Sequence, residues 1–178
     1  MREFLPVLKI LLRFVLIYFA LLAAYQAYLY FYESKGMIDP LTTLMAKQCS
    51  TVQNTAGLQT TLEQSNAYDG IMYVVRGIYA TRMVEGCNAV SIMILFLAFV
   101  FAFYKGFKRT LLFAVAGLVI LYLLNIGRIV LLNYIAVAHP GQMKPAHDYL
   151  FPAIIYGGVV ALWLVWVKFF VLKDEKAA

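Results

Sequence analysis

A cysteine, an arginine and a histidine carry most of the chemistry that this sequence offers. Cys87 stands in VEGCNAVSIM, where a polar stretch gives way to an apolar run, and Cys49 is the only other cysteine. At a helix N-terminus, close to a cation, a thiol is favoured as thiolate and becomes a nucleophile. Packed among apolar side chains it is inert, the commoner fate of a free cysteine. An oxidising compartment would allow a third state, a Cys49–Cys87 disulfide. Asn88 and Ser91 crowd the same turn as Cys87.

Arg128, in NIGRIVLLNYIAVA, is followed by apolar residues rather than by a loop. An arginine costs about 2.5–3.5 kcal/mol at a bilayer centre and less toward the surface. It is therefore either an interfacial partner of lipid phosphate or a functional cation. Asn125, three residues earlier, lies on the same helical face and could orient the guanidinium or satisfy backbone groups near Gly127. His147 has the side chain for general acid–base work, since histidine titrates near ~6.5. A lone histidine is more often a satisfied interfacial one. Asp148 either caps the following helix or orients His147, and His139, ahead of Pro140, is the weaker histidine candidate.

The elements that must position these groups are membrane helices. Of 178 residues, 63% are hydrophobic, and the mean hydropathy is +0.79; a soluble domain has about 45–50% apolar residues. The expected fold is an all-α integral membrane protein of about four transmembrane helices, in one domain. Residues 1–32 form an uncleaved N-terminal anchor, the apolar run being too long for the core of a signal peptide. Residues 33–86 form a polar segment outside the bilayer, with room for a short β-hairpin at 71–75 and 78–84. Residues 87–172 make the helical core, with spans at 87–104, from 110 to 124, and at 149–172. Residues 173–178 are a tail. Whether the piece at 129–138 dips back into the bilayer, as an extra re-entrant or interfacial helix, is left open by the sequence.

Orientation follows from the basic residues. Arg2, Lys9, Arg13, Lys105, Lys108, Arg109, Lys168, Lys173 and Lys176 fall on one side of this arrangement. Lys35, Lys47, Arg76, Arg82, Arg128 and Lys144 fall on the other. The first side has every short cationic terminus and turn and is expected to be cytoplasmic, which puts both termini inside and the polar segment outside. Cys87 then opens a span at the outer face. Arg128 lies about 19 residues beyond the basic turn, or ~28 Å of helix, and returns to the same level. His147 opens the last span, also from outside. Three reactive side chains share one depth.

Other chemistries are poorly served. A net charge of +6 in a membrane protein reports topology rather than nucleic-acid binding. Two histidines eight apart give no metal pattern. The sequence contains no phosphate-binding glycine loop and no C-x-x-C pair, so no cofactor is expected.

EGCNA at the start of one span, NIGRI ending the next and AHDYLF opening the last resemble, in order and depth, the exosortase/archaeosortase family, in particular its compact exosortase F type. The resemblance covers roughly residues 83–170. One departure is local: the family has Ser/Ala-Gly after the cysteine, and this chain has Asn88-Ala89. The resemblance implies a sortase-like cysteine transpeptidase or protease of the bacterial cytoplasmic membrane, with catalytic roles for Cys87, Arg128 and His147 only; Asn125, Asn88 and Asp148 are supporting candidates from their own chemistry and position. It implies as partners membrane lipid, the C-terminal sorting signals of exported proteins and a co-occurring membrane partner. The reading from another class is a non-enzymatic assembly subunit that binds an exported protein.

Overall fold

A computed structural model describes residues 5–64 and 70–172. The expected tail at 173–178, and Arg2 with it, lies outside the described residues. The first helix, α1 (Leu5–Glu33), is apolar almost throughout. A turn at Gly36 leads to α2 (Pro40–Thr55), whose start is written in the sequence: Asp39 accepts from the Leu41 and Thr42 amides, both at 3.0 Å. Pro40 fills the first helical position, where no amide hydrogen is required.

A three-stranded antiparallel sheet follows, in the order β1 (Thr60–Gln64), β2 (Ile71–Val75), β3 (Ile78–Met83). The expected hairpin is therefore present and has a third strand. Its turn is Arg76-Gly77, both with positive φ (52° and 77°), as a two-residue hairpin connection requires. Ile71, Tyr73 and Val75 alternate inward along β2. The Asn54 side chain at the end of α2 pairs with both backbone groups of Thr60, so helix and sheet are stitched together.

After the 3-10 turn Glu85–Cys87 comes α3 (Val90–Ala102), then α4 (Phe107–Ala138). The last helical stretch starts at a 3-10 turn, Pro140–Gln142, and runs through α5 (Met143–Pro145), a π turn Ala146–Leu150, α6 (Phe151–Trp166) and a second π turn, Val167–Val171. Three stretches are long and apolar enough to cross a membrane: Val7–Glu33, Phe107–Ala138 and Pro140–Val171. The span expected at 87–104 is shorter, because α3 has 13 residues, about 20 Å.

The stretch 129–138, which the sequence leaves open, is defined by the structure. This stretch is neither re-entrant nor separate: α4 is one helix of 32 residues, about 48 Å long. Gly127 costs only ~1 kcal/mol in a helix interior, and nothing else interrupts the hydrogen-bond ladder. Beyond Arg128 the helix lies against the sheet. Ile129 packs with Met45, Ala46, Cys49, Ile71, Tyr73 and Met83, and Asn133 bonds Thr81 of β3. A second core joins α3, α4 and α6 around Phe96, Val100, Ala114, Leu121, Val159 and Trp166. There α3 and α4 approach so closely that a Cβ on Gly117 would lie 2.2 Å from the Phe96 ring. The molecule thus has a membrane bundle and a sheet lobe, and α4 belongs to both.

Candidate functional site

The site lies at the junction of bundle and lobe. Cys87 ends the 3-10 turn, its amide donating to the Val84 carbonyl at 2.8 Å. Two residues later Ala89 takes the left-handed conformation, φ +60°, and only then does α3 begin. Cys87 is therefore not in the first turn of α3, as the sequence suggests, but three residues ahead of it. The left-handed residue costs an L-amino acid about 1–2 kcal/mol. Ala89 occupies the place where the resembling family has glycine, for which that conformation is free.

Asn88 holds this strained link in place. It is 2% exposed. Its Oδ1 accepts from the Val90 amide at 3.0 Å, capping α3. Its Nδ2 donates to the Tyr25 hydroxyl of α1 at 2.8 Å and to the Thr42 hydroxyl of α2 at 3.0 Å. Three helices converge on one amide, which makes Asn88 a positioning residue for its neighbour Cys87.

From the other side, α4 presents Asn125 and Arg128, one turn apart. The two side chains end on the same atom: Asn125 Nδ2 donates to the Cys87 carbonyl at 3.0 Å, and Arg128 Nη2 donates to it at 3.2 Å. Asn125 thus grips the cysteine backbone rather than orienting the guanidinium. Its Oδ1 and the Arg128 Nε are buried without a hydrogen-bond partner. A buried polar atom left unpaired costs free energy.

The two cysteines differ sharply. Both are free thiols, so the third state that an oxidising compartment would allow, the Cys49–Cys87 disulfide, is not formed. Cys49 is fully buried in α2. Burial pushes its thiol up to about 11, with Tyr73 and the charge of Arg128 pulling the other way. Burial and Cys49 likewise raise Tyr73. Cys87 keeps part of its surface and is the accessible thiol of the pair.

His147 lies in the π turn at the head of α6, its side chain 64% exposed. Its Nδ1 is 3.1 Å from Asp148 Oδ1. Since the helix starts upstream of Asp148, that residue orients His147 rather than capping. With Nδ1 so engaged, Nε2 is the free nitrogen. Among the described residues no hydrogen bond links this pair to Cys87 or Arg128. His139 ends α4 with its ring edge-on to Tyr134, a structural position. No three of His, Cys, Asp and Glu cluster among the described residues.

Tyr25 and Thr42 are site-supporting residues that sequence reasoning missed. Tyr25 reads as one tyrosine of an interfacial belt, and Thr42 as one polar residue in a polar segment. The only available signal was their order relative to Asn88, which does not give distance.

Fold and site together define a multi-pass membrane protein in which the backbone of Cys87 is clamped by polar side chains from a neighbouring membrane helix. The sequence profile of the transmembrane exosortase family matches residues 5–171; the chain belongs to that family. Comparisons with curated proteins and with solved structures return no match.

Proposed function

We propose that this exosortase-family protein is a cysteine transpeptidase or peptidase that cleaves C-terminal sorting signals of exported proteins, at the outer face of the cytoplasmic membrane. The observation that carries this reading is the convergence of Asn125 and Arg128 on the Cys87 carbonyl. It puts the Arg128 guanidinium on the backbone of a half-buried free cysteine, with the Arg128 Nε left without a partner. In the proposed reaction the Cys87 thiolate attacks a substrate peptide carbonyl, and Arg128 stabilises the oxyanion that develops. Collapse of the tetrahedral adduct breaks the C–N bond and leaves a thioester on Cys87. His147, with Nδ1 held by Asp148, protonates the leaving amine through Nε2 and then deprotonates the incoming nucleophile. An amine as nucleophile completes transpeptidation; water completes hydrolysis.

The test replaces Cys87, Arg128 and His147 singly with alanine, at matched membrane levels, and follows exported proteins with an apolar C-terminal segment. Processing should stop in the Cys87→Ala strain and fall sharply in the other two. Normal processing in all three would make the chain a non-enzymatic assembly subunit. Labelling of Cys87 by a membrane-impermeant thiol reagent added outside cells checks the orientation.

A further inference from the structure

The helix α2 has three sides. Met45, Ala46 and Cys49 pack on the sheet and on Ile129 of α4. A second side repeats at three- and four-residue intervals, Leu41, Leu44, Gln48 and Val52, the spacing of neighbours on one helical face. Its apolar members are 43%, 50% and 42% exposed. The third side is polar and carries Thr43, Lys47 and Asn54. Gln48 shows what lies beneath the apolar flank, because its Oε1 accepts from the Tyr122 hydroxyl of α4. The cations at the start of α4, Lys108 and Arg109, mark the opposite membrane boundary. Thirteen residues from Arg109 to Tyr122 make ~20 Å of helix, in a hydrocarbon layer ~30 Å thick. Tyr122 thus leaves α4 within the apolar layer, and a tilt of α4 only sets it deeper. A hydroxyl at that depth needs a protein partner, and Gln48 reaches down to supply one. One and two turns further into the layer on the same side of α4, Val119 and Val115 are 53% and 51% exposed. The Gln48 flank of α2 therefore continues a lipid-facing stripe of α4.

We infer that α2 is seated in the bilayer: acyl chains of the leaflet nearest Cys87 cover Leu41, Leu44 and Val52, and the sheet lobe rests on that leaflet. Helices with one apolar and one polar flank lie in the interface, the apolar flank sunk about 5–10 Å. Lys47, beside Leu44 but on the polar flank, extends its ammonium to the headgroups along an apolar stem. A second polypeptide on the apolar flank would have to enter the acyl layer beside Val119 as well. The inference does not depend on the cleavage reading. It touches the site through Thr42, the α2 residue whose hydroxyl accepts from Asn88, next to Cys87. The depth at which α2 sits thus sets the depth of the Cys87 turn.

Spin labelling of the full chain in vesicles of phosphatidylethanolamine and phosphatidylglycerol tests this. The parent is Cys87→Ala, whose remaining thiol, Cys49, is buried. Nitroxides are attached singly to Leu44→Cys, Val52→Cys, Lys47→Cys and Val119→Cys. At Leu44 and Val52, collisions with oxygen should outnumber those with a water-soluble nickel chelate several-fold more than at Lys47, approaching the ratio at Val119. Nickel access at Leu44 and Val52 equal to that at Lys47 overturns the proposal. Exclusion of both oxygen and nickel at the two positions also overturns it, because protein would then cover the flank; dipolar broadening would mark that protein as a second copy. Leu41→Trp gives an independent reading that needs no label. Vesicles with brominated acyl chains should quench this variant more than the parent, whose Trp163 and Trp166 set the baseline. No added quenching overturns the seating of α2.

Discussion

The membrane bundle and the sheet lobe are held together by different means. In the bundle, aromatic rings stack through the middle: Trp166 on Phe170 at 4.7 Å, and Phe99 on Trp163 at 4.4 Å, with Phe113 tilted against Trp166 at 4.8 Å. Lipid is as apolar as these side chains, so close packing rather than water exclusion must hold the helices. The lobe buries Thr42, Ser50, Gln53, Asn88 and Asn133 beside its apolar residues. Gln53 is fully buried with both polar ends unpaired. A bundle built this way tolerates few polar atoms, whereas the lobe and its junction carry them in number. Cys87, Asn125 and Arg128 occupy the seam, where the two kinds of packing meet.

Substitutions can break this contrast. Trp166→Ala should lower stability by roughly 3–5 kcal/mol, the usual cost of removing a buried large aromatic, read as earlier thermal unfolding in detergent. A small loss there would mean that the bundle is not held by ring packing. Arg128→Lys keeps the charge but loses the planar fork. It should reduce substrate cleavage on the order of 10²-fold, comparable to losing one oxyanion donor, with thermal unfolding little changed. An equal loss of stability would make Arg128 a structural residue of the lobe.

Alkali offers a finer probe of the lobe. The folded Cys49 thiol lies at about 11, above its ordinary value of 9.0. Its contribution to stability is therefore complete below about pH 9 and declines as pH rises toward 11, because the unfolded chain releases its proton first. Cys49→Ala should flatten that decline in a pH series of unfolding midpoints. The smallest effect belongs to Ala89. Ala89→Gly relieves the left-handed strain and should raise stability by up to about 1 kcal/mol, while Ala89→Val should lower it by more than that.

Much of the bundle could be read from the sequence because hydropathy alone marks long apolar helices. The strands at 71–75 and 78–83 were legible in their β-branched residues and the Arg76-Gly77 turn. The lobe was less so. The buried face of α2 carries Thr42, Ser50 and Gln53 beside Met45 and Cys49, which erases the apolar period that would announce a helix. The continuity of α4 was hidden because Asn125 and Arg128 look like the end of a span, yet here they face a partner inside the protein. Cys87 and Arg128 were legible as neighbours from depth. That both donors would end on the Cys87 backbone was not, since it depends on the left-handed Ala89 and the turn before it.

One unbroken α4 has a mechanical consequence. Its N-terminal two-thirds are gripped by the bundle and its last ten residues by the sheet, and Arg128 sits at the division. A tilt of about 5° around that point would swing Phe107, some 30 Å away along the rod, by nearly 3 Å, and Ala138 by just over 1 Å. The guanidinium would hardly move. Arg128 therefore lies at the point of α4 that any such tilt would displace least, with the grip on Cys87 beside it.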